Sequence, residues 1–360
     1  MNKVSKKIVW IILLILPLVF LNSCSPVEKK PGSSEWQFAP LPDISRQPLK
    51  LNVAHVINKR FTALTDEQIK RLFIRTQQLL KQYFNLDVIF ENNQQVSIDD
   101  FFSYLPEKII SARGKYIVDA RNINDEVKKQ MRASIYSTLL DNEQQQSSII
   151  NYAKPYLVDP ESVENLSELA DELVKTLSHR VRYWYQQNAE DGKPVLNNMP
   201  YNQWVWWDSM GYGEMPYDVV ITNQLVASIE TYGMAVHSSL RGGITGGTMT
   251  YSKNSPYKGY VFISAFQLLN NSPLLKKLRN DEAYTDEQII NYVAALLTHE
   301  LGHLFFHYGH PFNAPACVMN PTPLLKYREW FEGFDAQACR AGNYPMMQPG
   351  AVKVDFNPDW

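Results

Sequence analysis

The order of apolar and polar positions divides the chain into elements before any chemistry is considered. "LKLNVAHVIN" (49–58) alternates with the period of a strand. In the following "TDEQIKRLFIRTQQLLKQYF", Ile69, Leu72, Phe73, Leu79, Leu80 and Phe84 fall on one stripe of a helix. Thr65 and Gln68 have the spacing of a capping box at its start. "NLDVIFEN" (85–92) reads as a second strand, so the segment predicts a βαβ start to a sheet. Residues 97–200 change character: "DEVKKQMRASIYSTLLDNEQQQSSIINYAKPYL" and "ESVENLSELADELVKTLSHRVRYWYQQ" carry helical patterns with few strand signals between them. This block reads as a helical insertion, with His179 an ordinary helix-face residue.

Strand signals return in "YDVVITNQLVAS" (217–228) and "YKGYVFISAF" (257–266). Between them, "RGGITGGTMTYS" (241–252) gives a glycine-rich loop leading into a short strand. No Lys-Ser/Thr pair follows Gly242, Gly243, Gly246 and Gly247 in the register of a phosphate-binding loop, so a flexible rim beside a sheet edge is expected. Trp204, Trp206 and Trp207 either flank a cleft or fill the core. "YTDEQIINYVAALLTHELGHLFFHYG" predicts a long helix, capped by Thr285 with Gln288 and stopped by Gly309. Its apolar face carries Ile289, Val293, Leu296 and Leu297.

Composition narrows the partners. The 360 residues are 45% hydrophobic and 20% charged with a net charge of −2, which is globular and gives no electrostatic reason to expect nucleic acid. The first residues are a targeting segment: Lys3, Lys6 and Lys7 precede an apolar run from Ile8 to Leu21 that Pro17 interrupts, too short for a comfortable membrane span. It ends in "LNSC", which resembles the lipobox of bacterial lipoproteins. That resemblance implies removal of a signal peptide (1–23), acylation of Cys24 and, with Ser25 next, attachment to the outer membrane. Residues 24–48, rich in Pro, Ser and Gly, read as a flexible tether. Cys317 and Cys339 then remain as an even pair in an oxidising compartment, either bonded to each other or present as two buried thiols.

The chemistry lies in "HELGHLFFHYGHPF" (299–312), which holds four of the chain's seven histidines. On a helix, His299 and His303 stand one turn apart, with Cβ atoms about 5–6 Å from each other. Two imidazoles so placed reach one zinc ion at about 2.0–2.1 Å. Glu300, beside His299, is placed to act as general base on a water that the metal activates. His307 is about 12 Å from His299 along a straight helix, too far to share an ion with both others. His310 follows Gly309, where the chain can turn back, and Pro311 keeps the helix from resuming.

This stretch resembles the metzincin metallopeptidases, whose pattern is His-Glu-x-x-His-x-x-Gly-x-x-His. Here Phe306 stands where their glycine is expected, and the third histidine, His310, arrives one residue late behind Gly309. "CVMN" (317–320) resembles the Met-turn of archaemetzincins, which would put Met319 beneath the zinc. Cys339 is similar to part of the cysteine set of that subfamily. The set is incomplete, so one zinc per chain is expected and no second, structural ion. The resemblance implies an α+β fold: a metzincin-like mixed sheet with an active-site helix and a large helical insertion. Residues 49–96 would form the N-terminal part of the catalytic domain, 97–200 the insertion and 201–360 the catalytic core. "GGTMTYS" would be the edge strand that binds an extended peptide or protein substrate.

The competing ligand set is similar to that of gluzincins, with Glu329 or Glu332 of the helix expected over "YREWFEGFDAQAC" (327–339) as third ligand. The functional expectation is a zinc metalloendopeptidase held at the cell envelope through its N-terminal lipid. The alternative is a non-catalytic envelope lipoprotein that uses the same fold as a binding or scaffold module.

Overall fold

The computed structural model describes residues 37–356 other than 104, 115, 116, 120, 121, 190, 197–200 and 281. The expected signal segment, Cys24 and the tether as far as residue 36 lie outside the described residues.

The fold is α+β, built around a five-stranded mixed sheet. Its strands are β1 (Leu49–Ile57), β2 (Val88–Ser97), β3 (Val219–Thr222), β4 (Gly247–Tyr251) and β5 (Gly259–Ser264). They lie in the order β2-β1-β3-β5-β4. The first four are parallel, and β4 runs antiparallel to β5 at the edge. The principal helices are α1 (Asp66–Phe84), α2 (Asp125–Leu140), α3 (Leu166–Tyr185), α4 (Gln203–Gly213), α5 (Val236–Leu240), α6 (Asp286–Phe306) and α7 (Tyr327–Glu332).

Side-chain alternation explains the layering. In the central strands both faces are apolar, as parallel strands covered on both sides require. Val53, Val219, Ile221, Val261 and Ile263 point into the main core with α1 and α6. Their neighbours Ala54, Val56, Val220, Tyr260 and Phe262 point the other way, onto Trp206, Met210 and Phe101. Trp206 is therefore core, stacked at 5.7 Å on Phe262. Both long helices begin with complete capping boxes, Thr65 with Gln68 and Thr285 with Gln288. Helix α6 is apolar and long enough to cross a membrane, but 83% of that window is buried inside the protein.

The structure departs from the sequence reading at four places. The strand expected over 217–228 keeps only Val219–Thr222. Beyond it the Asn223 side chain donates to the carbonyls of Asn58 and Phe61, taking over from ladder bonds. The helix expected over 327–339 ends at Glu332, because Gly333 caps it and Asp335 N–H bonds to the Ala316 carbonyl. The glycine-rich segment is no flexible rim: residues 242–246 are buried. Gly242 and Gly243 take φ of 72° and 92°, and Gly246 lies against Leu296 of α6. Lastly, α6 stops before Gly309. His307 is its left-handed cap, with φ 50° and its N–H on the His303 carbonyl.

Candidate metal centre

Helix α6 presents His299 and His303 one turn apart, and the left-handed turn at His307 sends the chain back so that His310 joins them. The Nε2 atoms of the three rings form a triangle with sides of 3.0, 3.0 and 3.2 Å. Gly309 has a packing role in this turn: a Cβ there would lie 2.1 Å from Cε of Met346 and 2.8 Å from Val352.

The protons decide what the triangle is for. His299 Nδ1 lies 2.7 Å from the Val318 carbonyl, and His303 Nδ1 lies 2.6 Å from that of Tyr308. A carbonyl only accepts, so both Nδ1 atoms carry hydrogen and both Nε2 atoms present lone pairs. The His299 and His303 lone pairs, 3.0 Å apart, repel one another unless a positive group lies between them. A tetrahedral zinc with bonds of about 2.0–2.1 Å holds its nitrogens about 3.3–3.4 Å apart, so the residues fit such an ion. The backbone carbonyls that orient the rings are the outer contacts such a site needs.

Electrostatics favour the same state. Burial drives the His299 imidazole well below its usual range, and His303 and Arg241 reinforce this. Burial takes His303 down to about 4, while His310 is held well below its usual range by burial and the neighbouring histidines. All three are therefore neutral, as ligands must be. Glu300 is pushed the opposite way by burial, up to about 8, with Arg241 opposing. A dication beside it would act in the same direction as Arg241.

The surroundings are built to close tolerances. Met319 is fully buried against α6. Its Sδ lies 2.5 Å from where a Cβ on Gly302 would stand, so the glycine between the two histidines makes room for it. The Cys317–Cys339 disulfide ties down the segment that supplies both Met319 and the Val318 carbonyl. Glu300 lies against the edge strand: a Cβ on Gly247 would be 2.8 Å from its Cγ. A cleft of about 240 Å³ joins His299, Glu300, His303 and His310 to Gly247, Thr248 and Met249 of β4. Trp207 also lines it and donates from Nε1 to the Thr248 hydroxyl at 3.0 Å.

Glu329 and Glu332 are not brought to the histidines. Both are exposed, and Glu329 accepts a hydrogen bond from Asn280 instead. Trp330, between them on α7, packs its ring 6.4 Å from that of His299. His307 lines the cleft, and its Nε2 lies 2.8 Å from the Tyr251 hydroxyl.

Two contributors escape a reading of the sequence. Gln145, from the helical block, donates to the His310 carbonyl at 3.1 Å and accepts from Phe312 N–H at 3.1 Å. It clamps the loop that carries His310, and no local motif announces it. Gln145→Ala is expected to weaken zinc binding by about 10-fold, at the low end for outer contacts of a metal site. Chelator competition measures it, and unchanged affinity would show the loop to be rigid without the clamp. The second contributor is His237 on α5, which lines the same cleft.

Among known proteins, no family model matches the chain and no curated protein matches it. Among solved structures, a zinc-dependent peptidase from Methanocorpusculum labreanum matches with 14% sequence identity and a TM-score of 0.32. That match covers 79% of this chain and 97% of the other. A likeness of that strength carries no argument, so function rests on the geometry of the site.

Proposed function

We propose that this chain is a zinc-dependent metallopeptidase with a metzincin-like arrangement, anchored at the bacterial cell envelope by lipid on Cys24. One observation carries the reading: three histidine Nε2 atoms converge within 3.2 Å, in a cleft shared with a buried glutamate and an antiparallel edge strand. The order of elements, with β4 at the sheet edge ahead of the histidine helix, supports the metzincin-like form. The anchor and the outer-membrane location rest on the N-terminal sequence pattern alone.

Zinc held by His299, His303 and His310 would polarise the scissile carbonyl and acidify water at neutral pH. The chain's own residues supply the rest. The edge strand β4, whose Gly247 carbonyl accepts from the Thr245 hydroxyl, would offer its remaining outward backbone groups to an extended peptide adding to the sheet as a further strand. Glu300 accepts a proton from water as the water oxygen adds to the carbonyl carbon and the π pair moves onto the carbonyl oxygen. It returns that proton to the amide nitrogen as the C–N bond breaks, leaving an acid and an amine. Met319 packs under the helix and keeps His299 and His303 in register.

Digestion of a peptide library tests the proposal. Cleavage that a chelator removes and one equivalent of zinc restores is expected. Zinc bound with no cleavage of any peptide or protein would overturn it in favour of a binding module. A second prediction concerns β4. Gly247→Ala would force Glu300 or Ile263 to move, since its Cβ would approach them to 2.8 and 2.6 Å. A displacement of that kind is expected to lower kcat by about 10²-fold with zinc content unchanged, read by turnover and metal analysis on the same sample.

A further inference from the structure

We propose that His237 is an additional catalytic residue of this cleft, donating a hydrogen bond from Nε2 to the scissile carbonyl oxygen as it becomes an oxyanion. The inference rests on the peptidase reading and assigns that site a second polar group, far from the histidine motif in sequence.

His237 lies on α5 and lines the cleft together with Ala235 and Ser238. Its ring stands 5.1 Å from the His310 ring, at 89° to it. It is nevertheless outside the cluster formed by His299, His303 and His310, whose ligand atoms lie within 4.8 Å of one another. His237 therefore stands beside the three ligands, in the cleft that a substrate group bound among them would occupy.

The surroundings of the ring bear on which nitrogen carries the hydrogen. Nδ1 is buried and has no hydrogen-bond partner among the described residues. An orphaned buried N–H is rarer than an orphaned acceptor, so the neutral ring places its hydrogen on Nε2 and leaves the lone pair at Nδ1. A protonated ring carries hydrogen on Nε2 as well, so the role does not depend on titration. The cleft-lining ring thus presents a donor and no second base.

The short helix that carries the ring is held in advance. Val236 and Leu240 on either side are buried, Ser239 N–H bonds to the Ala235 carbonyl, and Arg241 bonds to the Thr322 carbonyl. Preorganised donors aimed at developing charge act more strongly in a desolvated cleft than in water. In the reaction above, the π pair of the carbonyl becomes a lone pair on oxygen. The Nε2–H of His237 donates to that oxygen, and no proton is transferred.

The test compares the full zinc-loaded chain with His237→Phe, which keeps an aromatic ring without a donor, and His237→Gln, which keeps an N–H. Steady-state cleavage of one peptide, zinc content, and affinity for a phosphinic peptide that mimics the tetrahedral adduct are measured for each. In His237→Phe, kcat is expected to fall by about 10²–10³-fold, as for loss of one oxyanion donor. Phosphinic-peptide affinity should fall with it, while KM and zinc content stay as in the wild type. His237→Gln should recover part of both losses. Unchanged kcat in His237→Phe overturns the proposal. So does loss of zinc from both variants, which would make His237 a metal ligand. A wild type that holds zinc and cleaves nothing removes the peptidase reading and this inference together, whereas an active wild type with an equally active variant removes the inference alone.

Discussion

Glu300→Gln is expected to lower kcat by about 10²–10⁴-fold, the usual contribution of a positioned acid-base group, with one zinc per chain still bound. Glutamine has the same shape, so the packing against Gly247 survives, and the three histidines and their carbonyl partners are untouched. An amide cannot take up the proton of the attacking water or return it to the leaving amine. Burial pushes the Glu300 carboxyl up to about 8 with Arg241 opposing, and a bound dication would act with Arg241 to keep it ionised for the proton it must accept. Single-turnover cleavage of a fluorogenic peptide, with metal analysis of the same sample, separates chemistry from binding. Wild-type turnover in the variant would show that another group moves the proton.

His310→Ala is expected to weaken zinc binding by more than the 10- to 100-fold typical of losing an outer contact, because it removes a ligand itself. The helix would still offer His299 and His303 with Nε2 atoms 3.0 Å apart, but a pair is an incomplete site. The carboxylates of α7 do not reach the pair, since Glu329 and Glu332 are exposed, and His237 lies beside His310 but outside the ligand cluster. Because bound metal stabilises the folded state, thermal unfolding in zinc should also begin at lower temperature in the variant. Competition against a chromophoric chelator gives the affinity directly. Full zinc retention would show that another group, His237 beside the site or a carboxylate as in the gluzincin-like set, completes it.

Particular residues show how far the sequence alone reaches. The i, i+4 spacing is enough to bring His299 and His303 side by side, because a capped apolar helix has one geometry. The return of His310 is also legible, but its cause is not: the sharp turn falls on His307, at φ 50°, and not on the glycine, while Gly309 serves a tight contact with Met346. The alternation over 49–58 marks a strand, yet Val53, Ala54, His55 and Val56 are all buried, and the short β3 ends where Asn223 captures backbone carbonyls distant in sequence. Gln145 and His237 illustrate the limit. Each is a lone polar residue in an ordinary helical context, and only tertiary folding brings it to the loop or cleft where it acts. The same holds for Trp206 and Trp207, adjacent letters that the helix sends to the core and to the cleft respectively.

The most direct test of the account is zinc K-edge X-ray absorption on the purified chain. The account predicts one zinc per chain, with three imidazole nitrogens at about 2.0–2.1 Å and one oxygen completing a four-coordinate shell. Two imidazoles with a carboxylate would contradict the assignment of His310, and absence of stoichiometric zinc would contradict the metal centre itself.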